Sequence, residues 1–459
     1  MKKLFKITSV LIGAAMLASL CACGGAQPAG PLKEVSIWTG DSHSKNVIKG
    51  IVDEFNESRG KKLGVKLVYT VKEGDYNQQI ELAIASDQAP DIFKCFSVQK
   101  YAENGNIVAI NDLPGGQEYL DSILTDAETK RAFVTKFDGK SYKVPYYVNT
   151  FGIVYNEDMF KEAGIVDEKG EAKPPETFEE LRECAKKLTD ASKKRYGLIT
   201  PFKNNGTVGH FYNMIFASHG IKGYDPVTGA YDYSAYEPAF KLLLDMKHDG
   251  SLYPGCEAID NDMARALFAE GQIGMIFGGS YDVAVFTSQF PAKCSWSVAP
   301  MPIENKNKAY LQRMSNDGGL SINKKSVDRV GGEALLEIYK WFHSDEVLQS
   351  LYEQGVSIPY KTELIEKAKV KDDVHPAWAK FGAMRAISRE YPPEMPTDLE
   401  GAPSIKEIFS TNIWPENGDM TALLADLGKR SNDGIAKKFA VNDNLKREDY
   451  IIEDYNTRR

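Results

Sequence analysis

Histidine and cysteine are scarce in this sequence, with six of each among 459 residues. Cys95, Cys184, Cys256 and Cys294 are isolated from one another, and no CxxC or Cys/His cluster is present. A zinc site needs such closely spaced ligands, so we predict no metal and no cofactor. Free buried thiols are the expected state, with a Cys256–Cys294 disulfide as the alternative.

Motifs of several enzyme classes are also missing. The chain has no G-x-S-x-G elbow, no H-E-x-x-H pair and no P-loop. We therefore predict that the protein is not an enzyme. The 64 acidic residues leave room for a glycosidase-type carboxylate pair, so hydrolysis stays open as an alternative.

Basic charge and long apolar runs are lacking as well. The formal net charge is −8, so no basic excess exists to neutralise phosphates, and we predict no nucleic-acid partner. Beyond residue 31 no apolar stretch reaches the roughly 18 residues of a membrane span, which predicts a soluble mature chain. The length favours two or three domains or lobes.

The N-terminus carries an export signal. Lys2, Lys3 and Lys6 precede the apolar run Ile7–Leu20, which is typical of a secretory signal peptide at residues 1–22. Leu20-Cys21-Ala22-Cys23 resembles a bacterial lipobox with Cys23 as the lipidated residue. Residues 23–31, rich in Gly, Ala and Pro, predict a flexible lipidated tether. We expect the protein on the extracytoplasmic face of the membrane; an ordinary cleaved signal is the alternative.

Strand and helix patterns alternate along the first part of the chain. Strands are predicted at Lys33–Thr39 and Val65–Val71, helices at Lys45–Ser58 and Asp75–Ser86, and a turn into a strand at Ala89–Phe93. This βαβ rhythm predicts an α/β fold with a largely parallel sheet. Later helices are predicted at 174–188 (with Thr177 as N-cap and Glu180 in a capping box), 210–219, 238–249, 261–270, 330–343, 404–409 and 420–442.

Several segments, taken in order, resemble one family. Phe268–Tyr281 resembles F-x-x-G-K-A-A-M-x-x-x-G-x-W, with Gly274 in an Ala position and Tyr281 in the Trp position. Other segments resemble the family's P-D turn, its V-P-Y and L-Y-Y-N strands and the strand pair that follows; they are Ser86–Ile92, Lys143–Asn156, Ala299–Pro302 and Gly318–Asn323. Together they resemble the solute-binding proteins of carbohydrate ABC importers, the class that includes maltose-binding protein.

The resemblance implies a two-lobed, periplasmic-binding-protein-like α/β fold of type II. A hinge of about three crossings would join the lobes around a ligand cleft. It places residues 31–147 plus 303–344 in the first lobe and residues 148–302 plus 345–459 in the second. The implied partners are a carbohydrate, the ABC importer's permease subunits and, through the lipid, the membrane; the protein is expected to be a monomer.

Sugar sites combine flat aromatic rings with polar groups that donate and accept hydrogen bonds in the ring plane. Loops that follow strand ends and positions that match the family's cleft supply the candidates. They are Trp38, Asp41, His43, Tyr147, Asn149, Phe211, Gly279, Tyr281, Asp282, Asp317 and the loop tryptophan Trp414.

A receptor for another solute is the alternative function. The adjacent Tyr146 and Tyr147 resemble the tyrosine pair of ferric-ion binding proteins, and polyamine or peptide ligands also stay open. The segment 221–233 could either cap the cleft or cover the second lobe.

Overall fold

The computed structural model describes residues 31–123, 135–137, 139–203, 208–315, 318–392, 394–442 and 445–455. Its strands are β1 Lys33–Thr39, β2 Val65–Val71, β3 Ile92–Lys94, β4 Ile107–Val108, β5 Thr135–Phe137, β6 Lys140–Pro145, β7 Asn149–Asn156, β8 Tyr196–Ile199, β9 Tyr224–Asp225, β10 Ala230–Tyr231, β11 Ile273–Gly279, β12 Trp296–Ala299, β13 Gln312–Ser315, β14 Gly319–Asn323 and β15 Ser388–Glu390. The signal peptide, Cys23 and the tether lie outside the described residues.

The first sheet has the order β2-β1-β3-β14-β6-β5, with β4 also paired to β14. Strand β1 is parallel to β2 and β3, whereas β14 is antiparallel to β3 and to β6. Val35 and Ile37 are fully buried on one face of β1, as the alternation in the sequence predicts. This sheet and the helices packed on it form the first lobe.

The second sheet has the order β15-β13-β7-β11-β8, with β12 also paired to β7. Strand β7 is antiparallel to β11, β12 and β13, whereas β8 is parallel to β11 and β15 is parallel to β13. All seven residues of β11 are buried, which fits a central strand covered on both faces. The second lobe is built on this sheet, so the predicted two-lobed α/β fold is confirmed.

The helices surround both sheets and agree broadly with the sequence patterns. Thr177 caps its helix as predicted, but Glu180 accepts from the backbone of Glu176 rather than from the N-cap residue. The predicted 330–343 helix is observed as Gly332–Phe342, and Gly331 (φ 107°) separates it from the preceding helix Lys324–Val330. The helices are Lys45–Phe55, Lys61–Leu63, Tyr76–Ala85, Val98–Glu103, Gly116–Ile123, Glu157–Glu162, Phe178–Leu188, Val208–His219, Glu237–His248, Asn261–Ala269, Asp282–Ala284, Lys324–Val330, Gly332–Phe342, Asp345–Glu353, Thr362–Lys367, Ala377–Ala383, Ile405–Ile408 and Met420–Ala440.

A buried carboxylate holds the first lobe together. Asp91 accepts hydrogen bonds from the backbone and hydroxyl of Ser36, from the Ser326 hydroxyl and from Arg329. Burial by itself would raise the pKa of Asp91. The hydrogen bonds stabilise the ionised carboxylate more strongly, so the pKa is lowered. Asp91 therefore stabilises the contact between β1 and the helix Lys324–Val330.

The lobes are joined at short crossings. Residues 146–148 separate β6 of the first sheet from β7 of the second, and residues 316–318 separate β13 from β14. The backbone of Val148 also donates to the carbonyl of Ile358 at 2.8 Å, which brings a third segment to the hinge. Because β13 pairs with β7 and β15, this crossing follows Ser315, and the predicted boundary at 302–303 is wrong.

Strand direction determines which sheet edges face the cleft. In the first sheet β1, β2, β3 and β6 all end at the edge where β14 begins. In the second sheet β8, β11, β12, β13 and β15 all end at the edge where β7 begins. Since three residues link β6 to β7, these two edges face each other across the hinge. Such carboxyl-end crevices are where open α/β sheets bind ligands.

The hairpin β9–β10 lies in the segment 221–233. Tyr231 exchanges backbone hydrogen bonds with the Asn432 side chain, on the helix Met420–Ala440. The segment therefore covers the second lobe, which decides between the two possibilities that the sequence left open. Among the described residues, no helix combines the length and the apolar character that crossing a bilayer requires.

Candidate functional site

The first-lobe edge contains a buried ion pair. Lys94, the last residue of β3, lies with its Nζ 2.5 Å from Oδ1 of Asp41, in the loop after β1. The phenols of Tyr146 and Tyr147 donate to Oδ2 and Oδ1 of Asp41, both at 3.2 Å. Lys94 also donates to the Tyr147 hydroxyl at 2.6 Å. The structure thus brings the predicted residues Asp41 and Tyr147 together.

The protonation states of these side chains explain why the buried cluster around Asp41 is stable. Burial by itself would lower the pKa of Lys94. The contacts with Tyr147 and Asp41 have the larger effect and raise the pKa, so the ammonium stays charged. Burial raises the pKa of Tyr146 well above its ordinary value, so its phenol keeps the proton that it donates to Asp41. A carboxylate has about four acceptor positions, and the side-chain donors among the described residues occupy three of them.

Trp38 lies beside this cluster in β1 and is half-buried. The ammonium of Lys72, one residue beyond β2, is 3.6 Å from the centroid of the Trp38 ring. A cation–π contact of this kind covers one face of the indole. Trp38 also packs against the buried cluster that includes Tyr76 and Phe93, and its contact with a ligand stays a prediction.

The hinge contributes Tyr147 and Asn149. A Cβ atom on Gly318 would lie 2.4 Å from the Tyr147 ring, so only glycine lets the second crossing pack against this tyrosine. Asn149, the first residue of β7, accepts a hydrogen bond from the Ser280 hydroxyl at 3.2 Å. The hinge therefore places predicted residues at the point where the two edges meet.

The second-lobe edge carries Tyr281. Its ring folds back over Gly279, where a Cβ would lie 2.7 Å from the ring, and it meets Phe151 edge-on at 6.5 Å between centroids. The Arg265 guanidinium is 5.8 Å from the Tyr281 centroid. Tyr281 is partly exposed at the end of β11, which is where a sugar platform would be needed.

The side chain of Asp282 makes its contacts within the second lobe. Its side chain is buried; Oδ2 accepts from the backbone of Gly279 at 2.8 Å, and Oδ1 pairs with Arg265 at 2.7 Å. These contacts fix the turn that presents Tyr281. Direct contact between Asp282 and a ligand stays a prediction that this burial does not favour.

Trp414 differs from its predicted environment. The sequence suggested an exposed loop, but only 9% of Trp414 is exposed, and its ring packs at 4.8 Å from Phe202. Its Nε1 donates to Glu257 at 3.3 Å, and its carbonyl accepts from Lys247 at 2.7 Å. The expectation of exposure was wrong because this loop folds against the core of the second lobe.

Three predicted site residues are not described at the side-chain level. His43 lies in a short turn after β1, and Phe211 lies in the helix Val208–His219, but both side chains fall outside the described part of the structure. Asp317 falls outside it entirely. Their roles stay predictions.

Sequence reasoning missed Lys94, Lys72 and Arg265. Lys94 carried one usable signal, since a lysine that ends the short strand Ile92–Lys94 must be paired if it is buried. Nothing local indicated the other two, whose partners are distant in sequence. Among the described residues no cluster of three or more histidines, cysteines and acidic groups could hold a metal, and the four described cysteines are free.

The fold and the facing edges define a two-lobed α/β protein with its candidate site at the hinge. Residues 40–347, more than half of the chain, match the family described as bacterial extracellular solute-binding protein. The chain belongs to this family.

Two relatives extend the likeness along most of the chain. The maltotriose-binding protein of Pyrococcus abyssi (strain GE5 / Orsay) is 24% identical over 78% of this chain and 74% of its own length. The sn-glycerol-3-phosphate-binding periplasmic protein UgpB of Brucella abortus (strain 2308) is 28% identical over 94% of this chain and 98% of its own length.

Solved structures share the fold. The GacH receptor of Streptomyces glaucescens GLA.O is 18% identical, with a TM-score of 0.65 over 89% of this chain and 99% of that one. The cyclic alpha-maltosyl-1,6-maltose binding protein from Arthrobacter globiformis is 19% identical, with a TM-score of 0.64 over 89% of this chain and 100% of that one. At these identities the likeness concerns the fold alone.

Proposed function

We propose that this protein is the extracytoplasmic receptor of an ABC importer and that it binds a carbohydrate, in particular an oligosaccharide, between its lobes. The observation that carries the proposal is the pair of facing edges, each with an aromatic ring beside hydrogen-bonding groups. Trp38 and Asp41 lie on one edge, and Tyr281 and Asn149 on the other. Rings on the two facing edges would hold the faces of sugar units while the polar groups meet their hydroxyls.

Closure would follow from binding at both edges. A ligand that contacts both lobes favours the conformation in which they approach, and the short crossing at 146–148 can absorb such a hinge motion. The permease would recognise the closed form. The names of the relatives, which include a maltotriose-binding protein, support a carbohydrate as the solute.

A panel of solutes tests the proposal. We expect the thermal unfolding midpoint to rise with one or more of maltotriose, raffinose, tagatose and chitin oligosaccharides, because a ligand that binds the native state stabilises it. The panel also contains sn-glycerol-3-phosphate, a polyamine, a peptide and iron(III). A rise with one of these alone would contradict the carbohydrate proposal.

Tyr281→Ala then tests the site with the sugars that bind. Loss of a central aromatic contact weakens binding by about 1–3 kcal/mol, which calorimetry measures. Tyr196→Ala is the matched control, since Tyr196 is also half-buried but begins β8 at the end remote from the hinge. Equal affinities for wild type and Tyr281→Ala would exclude this ring from the site.

We further propose that Cys23 carries the lipid that keeps the receptor near its permease. Intact mass of membrane-extracted protein should include a diacylglycerol group, which Cys23→Ala removes. Cys21→Ala is the matched control and should keep the group. Lipid retained by Cys23→Ala, or absent from wild type, would contradict this assignment.

A further inference from the structure

A small pocket lies between the ends of two neighbouring strands of the second lobe. Strands β8 and β11 are adjacent and parallel, and both end at the cleft edge. Thr200 directly follows β8, and Asp282 follows the turn after β11. Thr200, Asn261, Arg265 and Asp282 supply the polar wall of the pocket, and apolar side chains such as Phe286 supply the rest. We call it the Thr200 pocket.

Thr200 presents a hydroxyl that the described protein does not satisfy. The residue is 1% exposed, and its Oγ1 has no hydrogen-bond partner among the described residues. Buried polar side chains nearly always have a partner, because an unpaired one loses its hydration without compensation. The hydrogen-bond partner of the Thr200 hydroxyl, at the carboxyl edge of the sheet, is therefore expected to come from a group outside the described protein.

Arg265 points to the charge of that missing partner. Its guanidinium forms an ion pair with Asp282 at 2.7 Å and donates a hydrogen bond to Asp262 at 3.1 Å, so two carboxylates already balance its charge. A guanidinium has five N–H donors, and these two contacts do not use all of them. The balance favours a neutral group that accepts from arginine rather than an additional anion.

The geometry points to the Thr200 pocket as a subsite for a neutral hydroxyl or hydroxymethyl group of the bound carbohydrate. The space suits a group about the size of a water molecule, which a sugar substituent satisfies and a sugar ring does not. The Thr200 hydroxyl would pair with the substituent, Arg265 would donate to it, and Tyr281 would hold the attached ring. This inference rests on the proposed carbohydrate function.

Thr200→Val tests the subsite, since it removes the hydroxyl and keeps the shape of the side chain. With maltotriose, raffinose and tagatose as probes, we expect affinity for the sugars that bind to fall by about tenfold, the value of one hydrogen bond. The thermal midpoint of the unliganded variant should stay equal or rise, because no hydrogen bond within the protein is lost. The loss should shrink for a deoxy analogue that lacks the substituent.

Thr150→Val is the matched control. Thr150 is equally buried, but its hydroxyl donates to the carbonyl of Phe381 at 2.8 Å. This variant should lower the midpoint and leave sugar affinity unchanged.

Unchanged affinity of Thr200→Val would show that the pocket holds only water, which overturns the inference and leaves the proposed function standing. A midpoint lowered as in Thr150→Val would overturn it too, since the hydroxyl would then have a protein partner. If no sugar binds the wild type, both the proposed function and the inference fail.

Discussion

Replacing Lys94 with methionine should destabilise the first lobe strongly. The Lys94 and Asp41 side chains are 8% and 16% exposed and only 2.5 Å apart. Removing one partner of a buried ion pair leaves the other charge uncompensated, which costs about 3–5 kcal/mol. Two tyrosine donors would remain for Asp41, so the lower part of that range is expected.

Urea unfolding followed by circular dichroism measures the loss. Lys49→Met is the matched control: Lys49 pairs with Asp53 at 2.6 Å, but both side chains are about 60% exposed. An exposed helical pair of this kind contributes about 0.5 kcal/mol or less. The double variant Lys94→Met/Asp41→Asn should lose less than the sum of the single losses, because the two residues interact directly.

The effect should not depend on pH near neutrality. Because the pKa of Lys94 is raised in the folded state, its stabilisation is complete below the unfolded pKa of about 10.4 and is lost only as pH rises through the folded value. The difference between wild type and Lys94→Met should therefore be constant from about pH 6 to about pH 9. A loss no larger than that of Lys49→Met, or one that disappears within this range, would refute the reasoning.

Further predictions concern packing and acid stability. Trp414→Ala should lower the free energy of unfolding by about 3–5 kcal/mol in chemical denaturation; unaltered stability would mean that its ring is not packed. Gly318→Ala should cost about 1–3 kcal/mol by displacing the Tyr147 ring, whereas Gly50→Ala, in an open helical position, should stabilise by about 0.5–1 kcal/mol. Wild type should lose stability as pH falls below about 4, the unfolded pKa of an aspartate, because Asp91 has a lowered pKa in the folded state. Asp91→Asn should be less stable at neutral pH and lack that acid-dependent part, and an unchanged pH profile would contradict this.

Local signals in the sequence predicted the elements that depend on near neighbours. Strand β1 matches its predicted range, and Thr177 caps its helix, because alternation and capping involve residues a few positions apart. The lobe boundary was missed because β13 joins the second sheet through partners that are distant along the chain. Trp414 was misplaced for a similar reason, since Phe202 and Glu257, which enclose it, precede it by more than 150 residues.

Part of the candidate site could also be predicted from local sequence signals. Asp41 and Tyr281 follow strands, and strand ends converge in an α/β sheet, so their positions were predictable. The ion partner of Asp41 was not, because Lys94 is 53 residues away and the strand that carries it had to be paired in the sheet first. Nothing in the sequence indicated the Thr200 hydroxyl, because whether a buried hydroxyl has a hydrogen-bond partner depends on the residues that the fold places around it.

The sequence by itself determined the α/β class, the two-lobed architecture, the family and the placement of several candidate residues at strand ends, because periodicity, capping and ordered motifs are local. Only the tertiary structure decided which charges are buried together, which tryptophan is enclosed and where the chain crosses between lobes. Those features depend on strand pairing between remote segments, and pairing sets both the register and the burial of every side chain beside it.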